Sequence, residues 1–179
     1  AATLEGMDAV MTDVPKVCVS VSTADCIPIL IYDRVHHAVA AVHAGWRSTV
    51  LRISEAVLQA MADAYGTRPQ DVEAVIGPGI SLEAFEVGDE VYEAFRTAGF
   101  PMEEMARRYP AIGDGSGRME KWHLDLWQAN RGLLEGCDVP SARIHLAGVC
   151  TYLHSERFFS ARRLGIRSGR ILNGIFLTD

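Results

Sequence analysis

The 179-residue sequence lacks the features of a membrane-spanning, disulfide-linked or polyanion-binding protein. It has no apolar run long enough to cross a bilayer, and its net charge of -6 gives no general attraction for nucleic acid. The four cysteines, Cys18, Cys26, Cys137 and Cys150, form no CxxC pair, and no signal peptide is recognisable. We therefore expect reduced thiols in the cytoplasm, no disulfides, and neither a nucleic acid nor a membrane as partner.

The sequence also lacks an initiating methionine, linkers, repeats and low-complexity tracts. A chain of this length holds one sizeable core but not two, and 49% apolar and 22% charged residues are typical of a globular domain. We expect a single domain over residues 1–179. Because "AATLEGMDAVMTD" is typical of the interior of a domain, we also expect an N-terminal segment of this domain to be missing.

What is present is an alternation of strand and helix patterns. "KVCVSVSTADC" has the two-residue period of a strand, and the apolar runs "IPILIYD" and "HAVAAVHAG" predict a hairpin that is covered on both faces. A helix with Leu51 in its apolar stripe is predicted from Val50 to Gly66. The other predicted helices lie over 87–99, within 101–110 and after the capping residue Asp125, the other strands over 72–80, 143–150 and 170–177, and a loop over 113–118. This order predicts an α/β (α+β) fold, a compact layered sandwich of mixed β-sheet with flanking helices.

The predicted hairpin brings a thiol and an imidazole together. A loop centred between Arg34 and Val35 places Cys26 directly opposite His43. Opposed residues project from the same face of a sheet, with Cβ atoms about 4.5–5.5 Å apart. The prediction depends on register, since a slip of one residue would put the two side chains on opposite faces. Pro28 cannot donate to a ladder and so predicts an edge or an irregular strand start close to Cys26.

From the residues alone, three interpretations of Cys26 and His43 stay open. The pair is part of a metal site, or a catalytic dyad, or a buried apolar thiol beside a strand-end imidazole. Zn²⁺ accepts both kinds of ligand, but a zinc site usually has at least three protein ligands. Taken alone, two residues favour the structural interpretation.

Several sequence motifs, taken together and in order, resemble those of a known family. The segments "GMDAVMTD", "TADCIPILIYD", "AVHAGWRSTV", "IGPGI", "FEVGDEV", "LDLWQANRGLLEG" and "CTYLHSERFFSARRLG" follow one another over nearly the whole chain. Together they resemble the YfiH family, also named the laccase-domain, polyphenol oxidase or multicopper oxidase-like family, of purine nucleoside phosphorylase type. The resemblance implies a compact α/β sandwich related to the fold of the cytotoxic-necrotizing-factor-type cysteine hydrolases.

The same resemblance implies a metal site and an activity. Its ligands would be Cys26 of TADC, His43 of HAGW and a histidine of a QVHG-like segment, expected upstream of Ala1. The implied activities are phosphorolysis of adenosine, inosine, guanosine or methylthioadenosine and deamination of adenosine, by a monomer or small homo-oligomer. The expected small-molecule partners are a purine nucleoside and phosphate. We expect zinc and consider copper less suitable, because a multicopper oxidase needs many histidines and this sequence has six.

Phosphorolysis requires an anion site beside the sugar. Arg47, four residues after His43, is suited to bidentate phosphate contact, and we expect it to have a catalytic and phosphate-binding role. Arg162 and Arg163, from a group of five arginines between residues 157 and 170, are further candidates for phosphate binding. For all three arginines the alternative is solvated protein surface.

The remaining candidates are supported by weaker signals. Cys150 follows a predicted strand, where α/β sheets present reactive groups, and is a candidate catalytic residue; a buried structural thiol is the alternative. His123 and His154 are candidates for acid or base catalysis. Candidates for stacking on a purine, all core residues by default, are Trp46, Phe158 and Phe159.

Two further classes of function are consistent with the sequence. One is a Cys-His amide hydrolase of the peptidoglycan-editing or deamidase type, with Cys26 as thiolate nucleophile and His43 as base, needing no metal. Another is a metal-binding or partner-binding module without catalysis. A copper-dependent polyphenol oxidase, as the older family name implies, is a less favoured enzymatic alternative.

Overall fold

The computed structural model describes residues 6–113, 115–117 and 119–178, and these residues form ten strands and six helices. The strands are β1 (Ala9–Thr12), β2 (Val19–Thr23), β3 (Ile27–Asp33), β4 (Ala38–Ala44), β5 (Val72–Ile76), β6 (Glu86–Val87), β7 (Ala106–Pro110), β8 (Glu120–Leu124), β9 (Ile144–Leu146) and β10 (Ile171–Ile175). The helices are α1 (Trp46–Val50), α2 (Ile53–Tyr65), α3 (Asp89–Thr97), α4 (Met102–Met105), α5 (Leu126–Gly136) and α6 (Ala161–Leu164). Within the described residues, no helix is both long and apolar enough to cross a membrane.

A mixed five-stranded sheet forms the centre of the molecule. Its strand order is β1-β4-β3-β5-β9, and the pairing of β5 with β9 is parallel while the others are antiparallel. One face packs against α1, α2 and α5, and the other face packs against the two-stranded sheet of β2 and β10. The predicted layered α/β sandwich is confirmed, because the apolar runs of β3 and β4 are covered on both faces.

Of the two alternatives that Pro28 predicted, the edge strand is wrong, while the irregular strand start close to Cys26 agrees with the structure. β3 lies inside the sheet, with β4 on one side and β5 on the other. Pro28 is tolerated there because the ladder with β5 begins only at Ile29, so the missing N–H group falls beyond it. The Pro28 carbonyl still accepts a hydrogen bond from the Gly77 N–H group at 2.8 Å.

The helix predicted from Val50 to Gly66 is two helices. α1 begins at Trp46, and the helix is interrupted between α1 and α2 because Arg52 adopts a left-handed conformation with φ +57°. Leu51 is therefore 79% exposed instead of joining the apolar stripe. The predicted C-terminal Gly66 is confirmed, with φ +76°, a conformation that glycine adopts without steric cost.

A third sheet, of order β6-β8-β7, was not predicted. The segment 101–110 is helical only over α4, and its second half forms β7 against β8. The cap predicted for α5 is confirmed, since the Asp125 carboxylate accepts a hydrogen bond from the Gln128 N–H group at 2.9 Å. The loop predicted over 113–118 lies partly outside the described residues.

Candidate functional site

The β3–β4 hairpin carries Cys26 and His43 at its open end. Cys26 directly precedes β3, and His43 is the last residue but one of β4. The predicted register is wrong by two residues, because the loop spans Arg34–His37 and places Pro28, not Cys26, opposite His43. A shift of two residues keeps each side chain on its own face of a strand. Cys26 therefore becomes a diagonal neighbour of His43 on the same face.

The thiol of Cys26 and the imidazole of His43 meet at Gly45. A Cβ atom on Gly45 would lie 3.3 Å from Cys26 Sγ and 3.6 Å from His43 Cε1. The nearby Cys26 side chain is the main cause that raises the pKa of His43 to about 9. Glycine at this position leaves room for the two side chains.

Asp8 orients the ring of His43 from the other side. Its carboxylate oxygen Oδ1 lies 2.9 Å from His43 Nδ1, and the Asp8 carbonyl accepts the His43 backbone N–H group at 2.7 Å. Since a carboxylate only accepts, Nδ1 carries the proton, and Nε2 is left to face Cys26. Sequence reasoning missed this contact, which forms because Asp8 immediately precedes β1 and β1 pairs with β4.

Asp25, the residue before Cys26, is the second residue that sequence reasoning missed. It is 8% exposed and has a positive φ of +88°. Its carboxylate accepts hydrogen bonds from Thr151 Oγ1 and from the Arg162 backbone N–H group, both at 2.7 Å. The only signal in the sequence was its place inside the TADC segment.

Cys26 and His43 suit half of a zinc site. A thiolate sulfur and an imidazole nitrogen are common protein ligands of Zn²⁺, and a ligating imidazole commonly donates its other N–H group to a carboxylate, as His43 does to Asp8. Within residues 6–113, 115–117 and 119–178, no group of three or more His, Cys, Asp or Glu residues is arranged to hold a metal ion. The described residues thus fit two ligand positions, and zinc stays a prediction.

The predicted phosphate-binding arginines lie on two elements. Arg47 is exposed on α1, and its guanidinium lies 4.2 Å from the centre of the Trp46 ring. Arg162 and Arg163 are exposed on α6. The guanidinium of Arg162 donates to the Glu86 carbonyl at 2.8 Å, and its backbone N–H group binds Asp25. α6 is therefore tied directly to the loop that carries Cys26.

Cys150 has surroundings typical of a structural thiol, and its catalytic role stays a prediction. Its side chain is buried, and its sulfur accepts a hydrogen bond from the Ser81 N–H group at 3.3 Å. His123 is also buried, and its Nδ1–H group donates to the Leu82 carbonyl at 3.2 Å. His154 is exposed and lies 3.5 Å from Glu156. His123 Nε2 is buried without a hydrogen-bond partner among the described residues, and the roles predicted for the three residues stay predictions.

The aromatic residues predicted to stack on a purine are also placed by packing. Trp46 packs against the main core while supporting the Arg47 guanidinium. Phe159 is 46% exposed and lies against Gly169. Phe158 is half-buried. Their role in purine binding stays a prediction.

The family of the chain follows from comparison with known proteins. The family model described as multi-copper polyphenol oxidoreductase laccase matches residues 1–178. The chain belongs to this laccase family. A relative from Bacteroides thetaiotaomicron named purine nucleoside phosphorylase is 51% identical over 174 residues, which are 97% of this chain and 62% of the relative. Adenosine deaminase RL5, from an unknown prokaryotic organism, is 44% identical over 175 residues, which are 98% of this chain and 64% of that protein.

Solved structures of the laccase family confirm the fold. The crystal structure of the Bacillus licheniformis hypothetical protein YfiH matches with a TM-score of 0.84 and 31% identity, over 95% of this chain and 61% of the other. The predicted membership of the YfiH family is thereby confirmed. The chain spans less than two thirds of the length of each of these relatives.

Proposed function

We propose that this chain carries part of the active site of a zinc-dependent purine nucleoside enzyme. Cys26 and His43 are two of its metal ligands, and the third is a histidine outside the described residues, as the family resemblance implies. The reaction is phosphorolysis of adenosine, inosine, guanosine or methylthioadenosine, with deamination of adenosine as a second activity. The observation that carries the proposal is the meeting of thiol and imidazole at Gly45. The names of the two relatives, purine nucleoside phosphorylase and adenosine deaminase, support the substrate class.

Each residue of the site has a defined task in this proposal. Zinc, when bound, supplies a Lewis acid that lowers the pKa of a bound water towards 7. Asp8 holds the Nδ1–H group of His43, so that Nε2, once deprotonated, would be available as the metal ligand. Arg47, Arg162 and Arg163 provide positive charge for the phosphate, because a guanidinium pairs with two phosphate oxygens at once.

The two activities differ in the bond that breaks. In phosphorolysis a phosphate oxygen forms a bond to C1′ of the ribose while the bond from C1′ to the purine nitrogen breaks. The purine leaves with the electron pair of that bond and takes up a proton. In deamination a water oxygen adds to C6 of adenosine, and ammonia leaves after a proton has been transferred to it.

Product analysis with a matched cysteine control tests the proposal. Wild-type full-length protein and its Cys26→Ala and Cys18→Ala variants are incubated with adenosine, with and without phosphate, and bound zinc is measured. Adenine is expected only with phosphate, and inosine marks deamination. Cys26→Ala is expected to lose zinc and both products, while Cys18→Ala, which removes an exposed thiol, keeps them. Full turnover by Cys26→Ala, or copper in place of zinc, would contradict the proposal.

The proximity of Cys26 and His43 at Gly45 also favours one second candidate, a metal-free amide hydrolase. In that reaction the Cys26 sulfur forms a bond to the carbonyl carbon, the amine leaves with a proton from His43, and water then releases the acid. A chelator distinguishes the two functions. Amidase activity that survives dialysis against a chelator and is lost on alkylation of Cys26 would support the dyad and overturn the zinc proposal.

A further inference from the structure

Asp25 lies where three segments distant in sequence cross. Its carboxylate accepts hydrogen bonds from Thr151 Oγ1 and from the Arg162 N–H group, residues 126 and 137 positions further along the chain. Its carbonyl accepts the Ile80 N–H group at 2.9 Å. With only 8% of its surface exposed, Asp25 is a buried carboxylate whose polar atoms are bound by the protein itself.

The backbone of Asp25 is held in a conformation that residues with a Cβ atom rarely adopt. Its φ of +88° would favour glycine at this position, and strained positions of this kind persist only where the surrounding contacts impose them. The backbone at Gly79 approaches this turn closely. A Cβ atom on Gly79 would lie 3.1 Å from the Asp25 carbonyl oxygen and 3.4 Å from the Cys26 carbonyl oxygen. The turn at Asp25 thus fits tightly over the segment that follows β5.

This turn sets the direction in which the next side chain leaves the backbone. Cys26 follows Asp25 and extends towards Gly45 and His43. If Asp25 relaxed to the ordinary extended conformation, the Cα–Cβ bond of Cys26 would rotate with it, and the thiol would point elsewhere. The hydrogen bonds of the Asp25 carboxylate to Thr151 and Arg162 oppose that relaxation, because these two residues lie outside the hairpin and would not move with it.

The same carboxylate also holds the start of α6. It accepts from the N–H group of Arg162, while the Ser160 hydroxyl accepts from that of Arg163 at 3.1 Å. Two side chains therefore satisfy the first free N–H groups of this short helix. Asp25 therefore fixes the backbone position from which the side chains of Arg162 and Arg163 extend.

We propose that Asp25 is a positioning residue that aims the Cys26 thiol at His43 and holds the arginine-bearing start of α6 beside it. The proposal rests on the proposed function only for the roles of zinc and phosphate. The geometry of the thiol itself is measurable in metal-free protein without any substrate.

The test replaces Asp25 by asparagine, which keeps the size of the side chain but turns one acceptor oxygen into an NH₂ donor. The NH₂ group cannot accept the Arg162 N–H group, so both contacts persist only if the amide oxygen faces Arg162 and the Thr151 hydroxyl accepts from NH₂. In either arrangement the negative charge that strengthens both long-range bonds is lost. The alkylation rate of each cysteine is measured by mass spectrometry in metal-free full-length protein. In Asp25→Asn the rate of Cys26 relative to exposed Cys18 is expected to fall about tenfold, because the thiol loses its imidazole neighbour.

Asp33→Asn provides the matched control at the other end of β3. Asp33 is also a buried aspartate, and it accepts hydrogen bonds from the N–H groups of Val35 and His36. This variant is expected to lose thermal stability without a change in the alkylation ratio of Cys26 to Cys18. Thr151→Val, which removes only one donor to Asp25, is expected to give an intermediate ratio and covers the case in which Asp25→Asn fails to fold.

The turnover data then separate the two proposals. In Asp25→Asn the KM for phosphate is expected to rise about tenfold, because α6 is released as well as the thiol. An unchanged alkylation ratio in Asp25→Asn and Thr151→Val, or an equal change in Asp33→Asn, would show that Asp25 only stabilises the fold. The expected alkylation ratios in a wild-type protein that turns over no nucleoside would overturn the proposed function and leave the positioning role intact.

Discussion

At each end of the β3–β4 hairpin, a histidine of the hairpin is paired with an aspartate. At the loop end, His36 Nδ1 lies 2.8 Å from Asp33 Oδ2. At the open end, His43 Nδ1 lies 2.9 Å from Asp8 Oδ1. The two pairs are nearly identical in length and atom type, so the difference between a turn and a candidate site has to come from their surroundings.

At the loop end the pair closes a turn. The Asp33 side chain has no exposed surface, and besides the His36 ring it accepts the N–H groups of Val35 and His36 at 2.9 and 3.0 Å. Burial alone would raise the pKa of Asp33, but the Thr67 side chain together with these hydrogen bonds outweighs it and lowers the pKa below its usual value. The carboxylate is the centre of this arrangement, and the imidazole is one donor among several.

At the open end the imidazole is the centre. The Asp8 side chain is 49% exposed and holds one ring nitrogen of His43, while the Cys26 thiol approaches from the other side. The thiol raises the pKa of His43 to about 9, with Asp8 adding to the effect. The comparison shows that an Asp–His contact is not itself a functional signal. A second reactive group on the far side of the ring marks the site.

Substitution of each histidine by glutamine should give the largest difference in activity between the two ends of the hairpin. His43→Gln is expected to lower kcat/KM for adenosine by at least about 100-fold, since a ligand is lost, and to release zinc. His36→Gln removes a part-exposed hydrogen bond to Asp33 and should cost roughly 1 kcal/mol of stability. Steady-state assays, zinc analysis and thermal melts measure these effects. Equal losses of activity in both variants would remove the distinction between the ends.

The second carboxylate of the comparison, Asp8, should have a smaller effect. Asp8→Asn removes the negative charge that holds the ring of His43 and is expected to weaken zinc binding about 10- to 100-fold. Asp13→Asn is the matched control, because Asp13 is an exposed aspartate that follows β1 as Asp8 precedes it. Competition with a fluorescent zinc chelator gives both affinities. Unchanged affinity in Asp8→Asn would mean that Asp8 does not support the site.

Gly45→Ala tests the space between thiol and imidazole with a single methyl group. Backbone strain is not the issue, since Gly45 has φ -74°, but the new Cβ atom would lie 3.3 Å from Cys26 Sγ. Crowding of this size is expected to weaken zinc binding about tenfold. Gly132→Ala, in α5 with nothing within 4 Å of its new Cβ atom, should leave zinc binding unchanged. Equal affinities in the two variants would contradict the placement of Cys26.

The same comparison explains how much of the fold was predictable from the sequence. The two-residue apolar period predicted β2, and the continuous apolar runs predicted β3 and β4 with both faces covered. This was possible because the pattern of apolar residues along a strand reports which of its faces are buried. The register of the hairpin was not predictable, because both faces of β3 and β4 are buried and alternation no longer selects one pairing. Hydrogen bonds to Asp33 close the loop one residue further along the chain than predicted, which shifts the strand pairing by two residues.

The candidate site was predictable only where it is local. Cys26 and His43 lie on neighbouring strands, and an error of two residues keeps them on one face. The contacts of Asp8 and Asp25 depend on pairings with residues 35, 126 and 137 positions away, which no periodic pattern encodes. β7 was missed because its exposed arginines carry no apolar alternation, and it is defined by pairing with β8.

Asp33→Asn should have the smallest effect on activity and a measurable effect on stability. Loss of an ionised acceptor is expected to cost about 1–3 kcal/mol of the free energy of unfolding at neutral pH. Because folding lowers the pKa of Asp33, its carboxylate stabilises the native state above the unfolded-state pKa of about 3.9, and this contribution is lost as the pH falls through the folded-state value. The difference in unfolding free energy between wild type and Asp33→Asn should therefore be constant near neutral pH and shrink in acid. Urea unfolding at several pH values measures it, and a kcat/KM close to that of wild type would confirm that the loop end of the hairpin stabilises the fold without taking part in the site.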